Sequence, residues 1–235
     1  MEDTEQATAT SLIEADKYLK SGAHIGTRFK SGDMRKYIYK IRKDGLNVLD
    51  VQTLDERIKF AANFLSQYAP EKIVVVSRKL YGQAPARAFA KATGGRACVG
   101  RFVPGAFTNP EGKEFIEPQA IIAVEPEPDA QAISEAGMIN VPVIALCSTN
   151  NSLRNVDLAI PVNNKGRKSL ALVFWLLARE LLKIQGKISS DAEFTPLVED
   201  FEYKMKEGER EFFEEERPSY RDRERRPRLD KRRHK

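Results

Sequence analysis

The amino-acid sequence predicts a doubly wound α/β fold, in which a parallel sheet carries helices on both faces. From Leu46 onward, short runs rich in Val, Ile and Ala alternate with amphipathic segments of helical length. The runs are continuously apolar, which is typical of strands buried on both sides, and their alternation with helices indicates parallel βαβ units. The 235 residues suffice for one such domain with additional segments.

Five apolar runs predict strands, and a weaker sixth run lies between the second and third of them. The five predicted strands are Leu46–Asp50, Ile73–Ser77, Ala120–Val124, Val143–Cys147 and Asp157–Pro161, and the weaker one is Ala97–Gly100.

Helices are predicted from amphipathic spacing together with start and stop signals. Thr53 and Glu56 form a capping-box pattern that predicts the start of the helix after the first strand, and Ser11 with Glu14 predicts an N-terminal helix ending at Lys20. Glycines end the other helical patterns. These helices are predicted over Tyr81–Thr93, Pro128–Ala136 and Arg167–Gln185.

Charge divides the chain into blocks, although the formal net charge is only +5. The net charge is about +6 over residues 1–188, −8 over 189–216 and +7 over 217–235. The last block is almost devoid of apolar residues and cannot bury enough surface to fold alone. We therefore predict a flexible N-terminus at 1–9, an α/β domain at 10–188, an acidic arm at 189–216 and a basic tail at 217–235.

The compartment is predicted from cysteine usage and hydropathy. The two cysteines, Cys98 and Cys147, cannot form a disulfide scaffold, and the longest apolar run, Leu170–Ala178, is far shorter than a membrane span. The first ten residues are acidic and polar, unlike a signal peptide. We expect a cytoplasmic protein with no membrane partner.

The stretch from Arg28 to Lys43 combines cations with aromatic residues. Its seven cations are Arg28, Lys30, Arg35, Lys36, Lys40, Arg42 and Lys43. Cations neutralise phosphates, and the rings of Phe29, Tyr37 and Tyr39 can stack on unpaired bases. The alternative is a solvated surface segment whose tyrosines pack on the domain. A strand with Tyr37, Tyr39 and Ile41 on a packed face and cations on the other satisfies both interpretations.

Two further loops offer ligand-binding groups. After the second strand, Arg78, Lys79 and Arg87 bracket a helix start, at the sheet edge where doubly wound proteins bind ligands. The loop lacks the glycine spacing of a nucleotide-binding fingerprint, so a nucleotide cofactor is not expected.

The loop from Arg101 to Phe115 offers two cations, Arg101 and Lys113, with Phe102 and Phe107. A packed Pro/Gly connection explains these residues equally well.

Catalytic and metal-binding patterns are weak. His24 could pair with Cys98 or Cys147, although buried cysteines at strand ends are more often inert. Nothing assembles a nucleophile, a base and an orienting group. We predict no catalytic residue, no cofactor and no small-molecule substrate; an enzyme that binds a nucleotide or phosphorylated ligand on the same sheet is the alternative.

The turn EPEPD could hold a metal through Glu125, Glu127 and Asp129. Its prolines favour a rigid helix entry instead, so no metal is predicted.

Several stretches, taken in order, resemble the ribosomal protein S2 family, the universal small-subunit protein whose eukaryotic member is ribosomal protein SA, the laminin-receptor precursor. The resemblance covers roughly residues 10 to 188. The matching stretches are AHIGTRF (23–29), YIYKIRKDGLNVLDV (37–51), SRKLYGQAPARAFAKATGG (77–95), GRFVPGAFTNP (100–110), the long run from EPDAQAISEAG to LLAREL (127–181) and LLKIQG (181–186).

The resemblance implies a flavodoxin-like sheet and a structural, non-enzymatic protein of the small ribosomal subunit. Family members bind small-subunit ribosomal RNA, beside other ribosomal proteins, at the head–body junction on the solvent side. Bacterial members carry a helical hairpin after the turn that corresponds to Thr108 and Asn109, whereas this chain continues directly through PEGKEF. The short tail with a basic end favours an archaeal protein, and the laminin-related role is not carried over.

On this basis we expect the cations of several loops to contact ribosomal RNA, with simple solubility as the alternative. The aromatics of the acidic arm are expected to dock on a basic ribosomal protein, and the basic tail to follow RNA. The expected RNA-binding residues are Arg28, Lys30, Arg35, Lys36, Lys40, Arg42, Lys43, Arg78, Lys79, Arg101, Lys113, Lys165, Arg167 and Lys168, and the protein-binding aromatics are Phe201, Tyr203, Phe212 and Phe213.

Overall fold

The computed structural model describes residues 12–204, and within them it contains a five-stranded parallel sheet, a two-stranded antiparallel sheet and five α-helices. The strands are β1 (Ile38–Ile41), β2 (Asn47–Leu49), β3 (Ile73–Ser77), β4 (Arg96–Val99), β5 (Ala120–Ala123), β6 (Val143–Cys147) and β7 (Leu158–Pro161). The helices are α1 (Ala15–Ser21), α2 (Val51–Leu65), α3 (Leu80–Thr93), α4 (Ala130–Met138) and α5 (Arg167–Ile184).

The parallel sheet has the strand order β4-β3-β5-β6-β7. The chain therefore starts this sheet near one edge, moves outward from β3 to β4, and then crosses back over β3 to build β5, β6 and β7 in turn. The reversal lies between β3 and β5. This is the doubly wound topology that the sequence predicts, and the fold class is confirmed.

Apolar layers cover both faces of this sheet. Ile73, Val75 and Ile122 point into a core formed with α2, α3 and α5. Val74 and Ile121 alternate with them and point to the other face, against α4, the loop that contains Phe107 and the inner side of the β1–β2 sheet. Burial on both faces is the physical reason that these strands are continuously apolar.

The first predicted strand lies elsewhere. Asn47–Leu49 pairs antiparallel with β1 and does not join the parallel sheet, so that part of the prediction is wrong. The turn between the two strands contains Asp44, whose side chain accepts from the Leu46 amide at 3.2 Å, and Gly45, which has a φ of 82°. An Asp-Gly pair between two apolar runs is a hairpin signal, and it explains the pairing.

The predicted alternation in β1 also fails. Tyr37 is buried, as expected, but Tyr39 is 70% exposed and Ile41 is 54% exposed. The register to β2 shifts between Ile38 and Lys40, so Tyr39 is the extra residue of a bulge. A bulge breaks the two-residue periodicity of a strand, and the residues beyond it no longer follow Tyr37 into the core.

Two helices begin differently from their predictions. The N-cap of α2 is Asp50, which accepts from the Gln52 amide at 3.2 Å, so Thr53 and Glu56 form no capping box. Helix α1 begins at Ala15. Leu12 precedes it in non-helical conformation, and its amide donates to the Asp55 carboxylate at 3.1 Å. Ser11 lies outside the described residues.

The segment that follows α5 packs on the domain as far as Tyr203, beyond the predicted boundary at 188. The indole of Trp175 donates to the Pro196 carbonyl at 2.7 Å and contacts the ring of Phe194, with 5.7 Å between centroids. Phe201 is buried in the core under α5. The expectation that Phe201 docks on a partner is therefore wrong, because its own domain already buries it.

Tyr203, the next predicted docking residue, is half-buried, and its ring lies 5.8 Å from that of Tyr81 between centroids. The other two predicted docking residues, Phe212 and Phe213, lie outside the described residues, as does the basic tail.

Replacing Phe201 with Ala should destabilise the domain by about 3–5 kcal/mol, as expected for a fully buried phenylalanine. Denaturant unfolding measures this change, and Phe60→Ala, at an exposed position of α2, serves as the control. An unchanged free energy of unfolding in Phe201→Ala would show that the segment after α5 does not belong to the core.

Candidate nucleic-acid interface

The carboxyl ends of β6 and β7 are covered by the segment from Gly22 to Met34. The Thr27 amide donates to Thr149 Oγ1 at 2.9 Å, and the Ser31 amide donates to the Thr149 carbonyl at 2.8 Å. The Asn163 amide, just after β7, donates to the Ala23 carbonyl at 2.9 Å. Thr149 is fully buried, so these bonds anchor the segment to a residue that is itself held inside the domain.

Gly26 permits this close approach. A Cβ at this position would collide with the Thr149 side chain and would lie 2.9 Å from the Asn47 carbonyl oxygen. The Gly26 amide itself donates to that carbonyl at 2.9 Å. Gly26 therefore brings the covering segment, β2 and the loop after β6 together.

The covering segment also extends the β1–β2 sheet. Asn47 and Leu49 bond to residues 24–27, whereas Val48 lies opposite Lys40 of β1 and also forms a bridge to Ile25. β2 is thus the central member of a ribbon of three extended segments. We call this ribbon, with the residues that connect its segments (24–49), the basic platform.

The seven cations predicted between Arg28 and Lys43 all lie on the basic platform, and all are exposed. Within residues 12–204, the only one of them with an ion pair is Arg42, whose guanidinium lies 3.5 Å from the Asp44 carboxylate. The platform therefore presents a strong positive potential to solvent.

Aromatic rings accompany these cations. Phe29 is 80% exposed, and the ammonium of Lys40 lies 5.8 Å from the centroid of the exposed Tyr39 ring. Two cations lie over the buried ring of Tyr37, the Lys36 ammonium at 5.0 Å and the Arg57 guanidinium at 5.6 Å from its centroid.

Two cations beside the platform were missed by sequence reasoning. Arg57 reaches the platform from α2, and Arg154, in the loop after β6, lines a shallow depression with Lys36 and Asp33. The Asp33 carboxylate accepts from the Leu153 amide at 3.0 Å, which holds this loop beside the platform. Arg154 could have been predicted to lie here from its position after a parallel strand, whereas nothing in the sequence indicated that Arg57 lies beside the platform.

Most of the other predicted cations lie beside the platform, at the edge of the sheet that is formed by the carboxyl ends of its parallel strands. These are Arg78 and Lys79 after β3, Arg101 after β4, and Lys165, Arg167 and Lys168 after β7.

Two members of this group have acidic partners. Lys79 contacts the buried Glu125 carboxylate, and Arg167 lies 3.9 Å from the Glu202 carboxylate. Lys113 lies in the connection between β4 and β5, which returns to the other edge of the sheet, where the Gln119 amide donates to the Lys72 carbonyl.

The crevice between β3 and β5, where doubly wound proteins bind ligands, is filled by the protein itself. The Asp129 carboxylate accepts from the Arg78 amide at 2.8 Å and from the Glu125 amide at 3.1 Å. A Cβ on Gly82 would collide with Ser77 and lie 2.8 Å from Val124, so α3 packs directly on the strand ends. The amides that could bind a phosphate here already bind a carboxylate.

The same contacts show what the EPEPD turn does in this fold. Asp129 fixes the loops after β3 and β5, and Glu125 pairs with Lys79. The turn is therefore a hydrogen-bonded entry to α4. Burial raises the pKa of Asp129 to about 6, against the lowering effect of its backbone hydrogen bonds.

The remaining candidates for catalysis or binding are the two cysteines and the loop from Arg101 to Phe115, and these residues form packing contacts within the domain. Burial raises the pKa of the Cys147 thiol to about 12 and also raises that of Cys98, which is the opposite of the activation a nucleophile needs. Phe107 is buried with its ring 4.9 Å from that of Phe102. The Glu135 carboxylate accepts from the amides of Gly105 and Phe107, so this loop is a packed connection in its central part.

No helix among residues 12–204 has the length and apolar character needed to cross a membrane. The fold and the candidate site together define a protein of the doubly wound α/β class, in which an internal carboxylate bonds the amides of the crevice and exposed cations lie beside the strand ends. A family model for ribosomal protein S2 matches the chain over residues 18–113 and 112–183. The match covers most of the α/β domain, and the chain belongs to the ribosomal protein S2 family. It is therefore a small-subunit ribosomal protein, of a family that is structural and not enzymatic.

Replacing Gly26 with Ala should destabilise the protein by about 1–3 kcal/mol, because the added methyl group collides with Thr149 and the Asn47 carbonyl. Thermal or denaturant unfolding measures the loss. Gly32→Ala, where the new methyl meets no atom within 4 Å, should leave stability nearly unchanged. Equal stability of the two variants would contradict the close packing at Gly26.

Asp129 should make the folding stability depend on pH. Its folded pKa of about 6 lies above that of an unfolded aspartate, so the folded protein binds a proton first as the pH falls from 7 toward 4. The free energy of unfolding of the unmodified protein should therefore rise by roughly 2–3 kcal/mol relative to that of Asp129→Asn across this window. Urea titrations of both proteins at pH 7 and pH 4 test this, and parallel pH profiles would refute it.

Proposed function

We propose that this protein binds small-subunit ribosomal RNA through the basic platform and the cations beside it, as a structural component of the subunit. The observation that carries this proposal is the surface of exposed cations, almost all without acidic partners among residues 12–204, on a rigid ribbon at one edge of the sheet. Phosphate oxygens are the complementary ligand for such a surface, and RNA that is already folded presents them in a fixed arrangement.

The rigidity of the platform supports this function. Its backbone is held by hydrogen bonds to two buried residues, Thr149 and Asn47, so the cations extend from a base that does not need to be ordered on binding. Preorganisation of this kind lowers the entropic cost of binding. The cations at Arg78, Arg101, Lys165 and Lys168 extend the surface along the same sheet edge.

The predicted segments of the C-terminus fit the same function. We propose that the acidic residues after 204 contact a basic ribosomal protein and that the basic block at 217–235 contacts RNA, as their opposite charges indicate. Glu202 and Tyr203, close to the end of the described residues, contact Arg167 and Tyr81 near the starts of α5 and α3. They therefore lie at the sheet edge that carries the cations.

We also propose the archaeal branch of the family and a position at the head–body junction on the solvent side of the subunit. The two matched segments of the family model meet at residues 112 and 113. The helical hairpin of the bacterial members would lie close to this point, and the described connection at 100–119 contains no helix, which supports the assignment to a branch without the hairpin.

Replacing Lys30, Lys40 and Lys43 together with Gln should weaken binding of the full chain to a transcript of small-subunit ribosomal RNA by at least tenfold at low salt. The slope of log Kd against log salt concentration should fall by roughly two to three, because the variant neutralises fewer phosphates and its binding releases fewer counterions. A filter-binding titration over a range of salt concentrations measures both effects.

The matched control replaces Lys91, Arg96 and Lys187 with Gln. These three exposed cations lie toward the other edge of the sheet, near the ends of α3 and α5 and at the start of β4, and their removal changes the net charge equally. The control should bind almost as tightly as the unmodified protein. Equal weakening in both triple variants would show only a general charge effect and would contradict the interface.

A further inference from the structure

We propose that Phe29 and Tyr39 are stacking surfaces for unpaired bases, so that the RNA bound by the basic platform is single-stranded or looped at that point. This inference rests on the proposed RNA-binding function and deepens it by naming the structural class of RNA.

The first observation is the exposure of these rings. Phe29 is 80% exposed and Tyr39 is 70% exposed, although the same ribbon buries Tyr37 and Met34 completely or nearly so. The fold therefore has a core within reach of this ribbon and does not place Phe29 or Tyr39 in it. Single exposed apolar residues are ordinary, but Phe29, Tyr39 and Ile41 share one small ribbon with seven cations.

The second observation is that the backbone beside each ring is fixed. The Phe29 carbonyl accepts from Thr27 Oγ1 at 2.8 Å and from Thr149 Oγ1 at 3.0 Å, so the ring extends from an anchored residue. Tyr39 is the extra residue of the bulge in β1. Bulges reorient a side chain at a defined position, and here the bulge directs the tyrosine ring away from the core.

The third observation is that both rings lie on the basic platform among its cations. Tyr39 lies on β1, which pairs with one side of β2, and Phe29 follows residues 24–27, which bond to the other side. Cations occupy the positions next to the rings: Arg28 and Lys30 flank Phe29, and Lys40 follows Tyr39. A single strand of RNA can place a base on a ring and the adjoining phosphate on a neighbouring cation, whereas a duplex hides its base faces.

The experiment compares binding of the full chain to a 12-nucleotide oligoadenylate and to a 12-base-pair RNA duplex. Phe29→Leu and Tyr39→Leu keep an apolar side chain but remove the aromatic face. Each should weaken binding of the oligoadenylate by about 5- to 100-fold and leave duplex binding within a factor of two. Phe60→Leu, at a 59% exposed phenylalanine of α2 outside the platform, is the control and should change neither.

A fluorescence measurement tests whether a base stacks directly on the ring at position 39. Tyr39→Trp places an indole on the platform, and its emission should be quenched when oligoadenylate is added. The unmodified protein, in which the half-buried Trp175 contacts Phe194, supplies the background signal. Folding of every variant is checked by thermal unfolding.

The outcomes distinguish the two proposals. If the leucine variants and Phe60→Leu bind oligoadenylate equally well while the lysine triple variant binds it weakly, the stacking proposal is overturned and the RNA-binding function stands. If instead the lysine triple variant binds both RNAs as tightly as its matched control does, the RNA-binding function itself fails. Unquenched emission of Tyr39→Trp in a complex that does form would likewise overturn stacking.

Discussion

The hydrogen bonds between the segment around Thr27 and the loop after β6 are the constraint on which the rest of this structure depends. Thr149 receives the Thr27 amide on its side chain and the Ser31 amide on its carbonyl, and its hydroxyl also bonds to the Phe29 carbonyl. These contacts cover the carboxyl ends of β6 and β7 and fix the ribbon that carries the cations. The stability of the sheet edge and the placement of the charged surface therefore have one origin.

Internal carboxylates close the remaining openings of the sheet. Asp129 binds the amides at the crevice between β3 and β5, and Glu135 binds the amides of Gly105 and Phe107 in the loop after β4. In a doubly wound enzyme, amides at such positions are available to a ligand. Here they are used to make loops rigid, so the same topology serves as a scaffold with its binding surface on the outside. This use agrees with membership of the ribosomal protein S2 family.

The parallel sheet could be predicted because its strands are buried on both faces. Ile73–Ser77 and Val143–Cys147 were predicted with their observed bounds, since short apolar runs that contain β-branched residues are typical of strands buried on both faces. The strand at Asn47–Leu49 was assigned to the wrong sheet. Its length and apolar content match those of a core strand, and only the Asp44–Gly45 turn indicates a hairpin.

The candidate site was predicted in its composition but not in its geometry. The seven cations between Arg28 and Lys43 are visible in the sequence, and they are exposed because lone charges are costly to bury. Arg57 joins them only because α2 packs beside Tyr37, a contact between residues far apart in the chain. The burial of Phe201 has a similar cause, since it depends on where the chain runs after α5.

By itself, then, the sequence determined the fold class, the division into charge blocks and the basic character of residues 28–43, because these follow from local composition and periodicity. The tertiary structure decided which aromatic rings are buried and which are exposed, which cations share an edge, and that Asp129 occupies the crevice of the sheet. These properties depend on contacts between residues that are tens of positions apart in the chain, and on one bulge at Tyr39. Neither the contacts nor the bulge can be recognised in the local pattern of residue types.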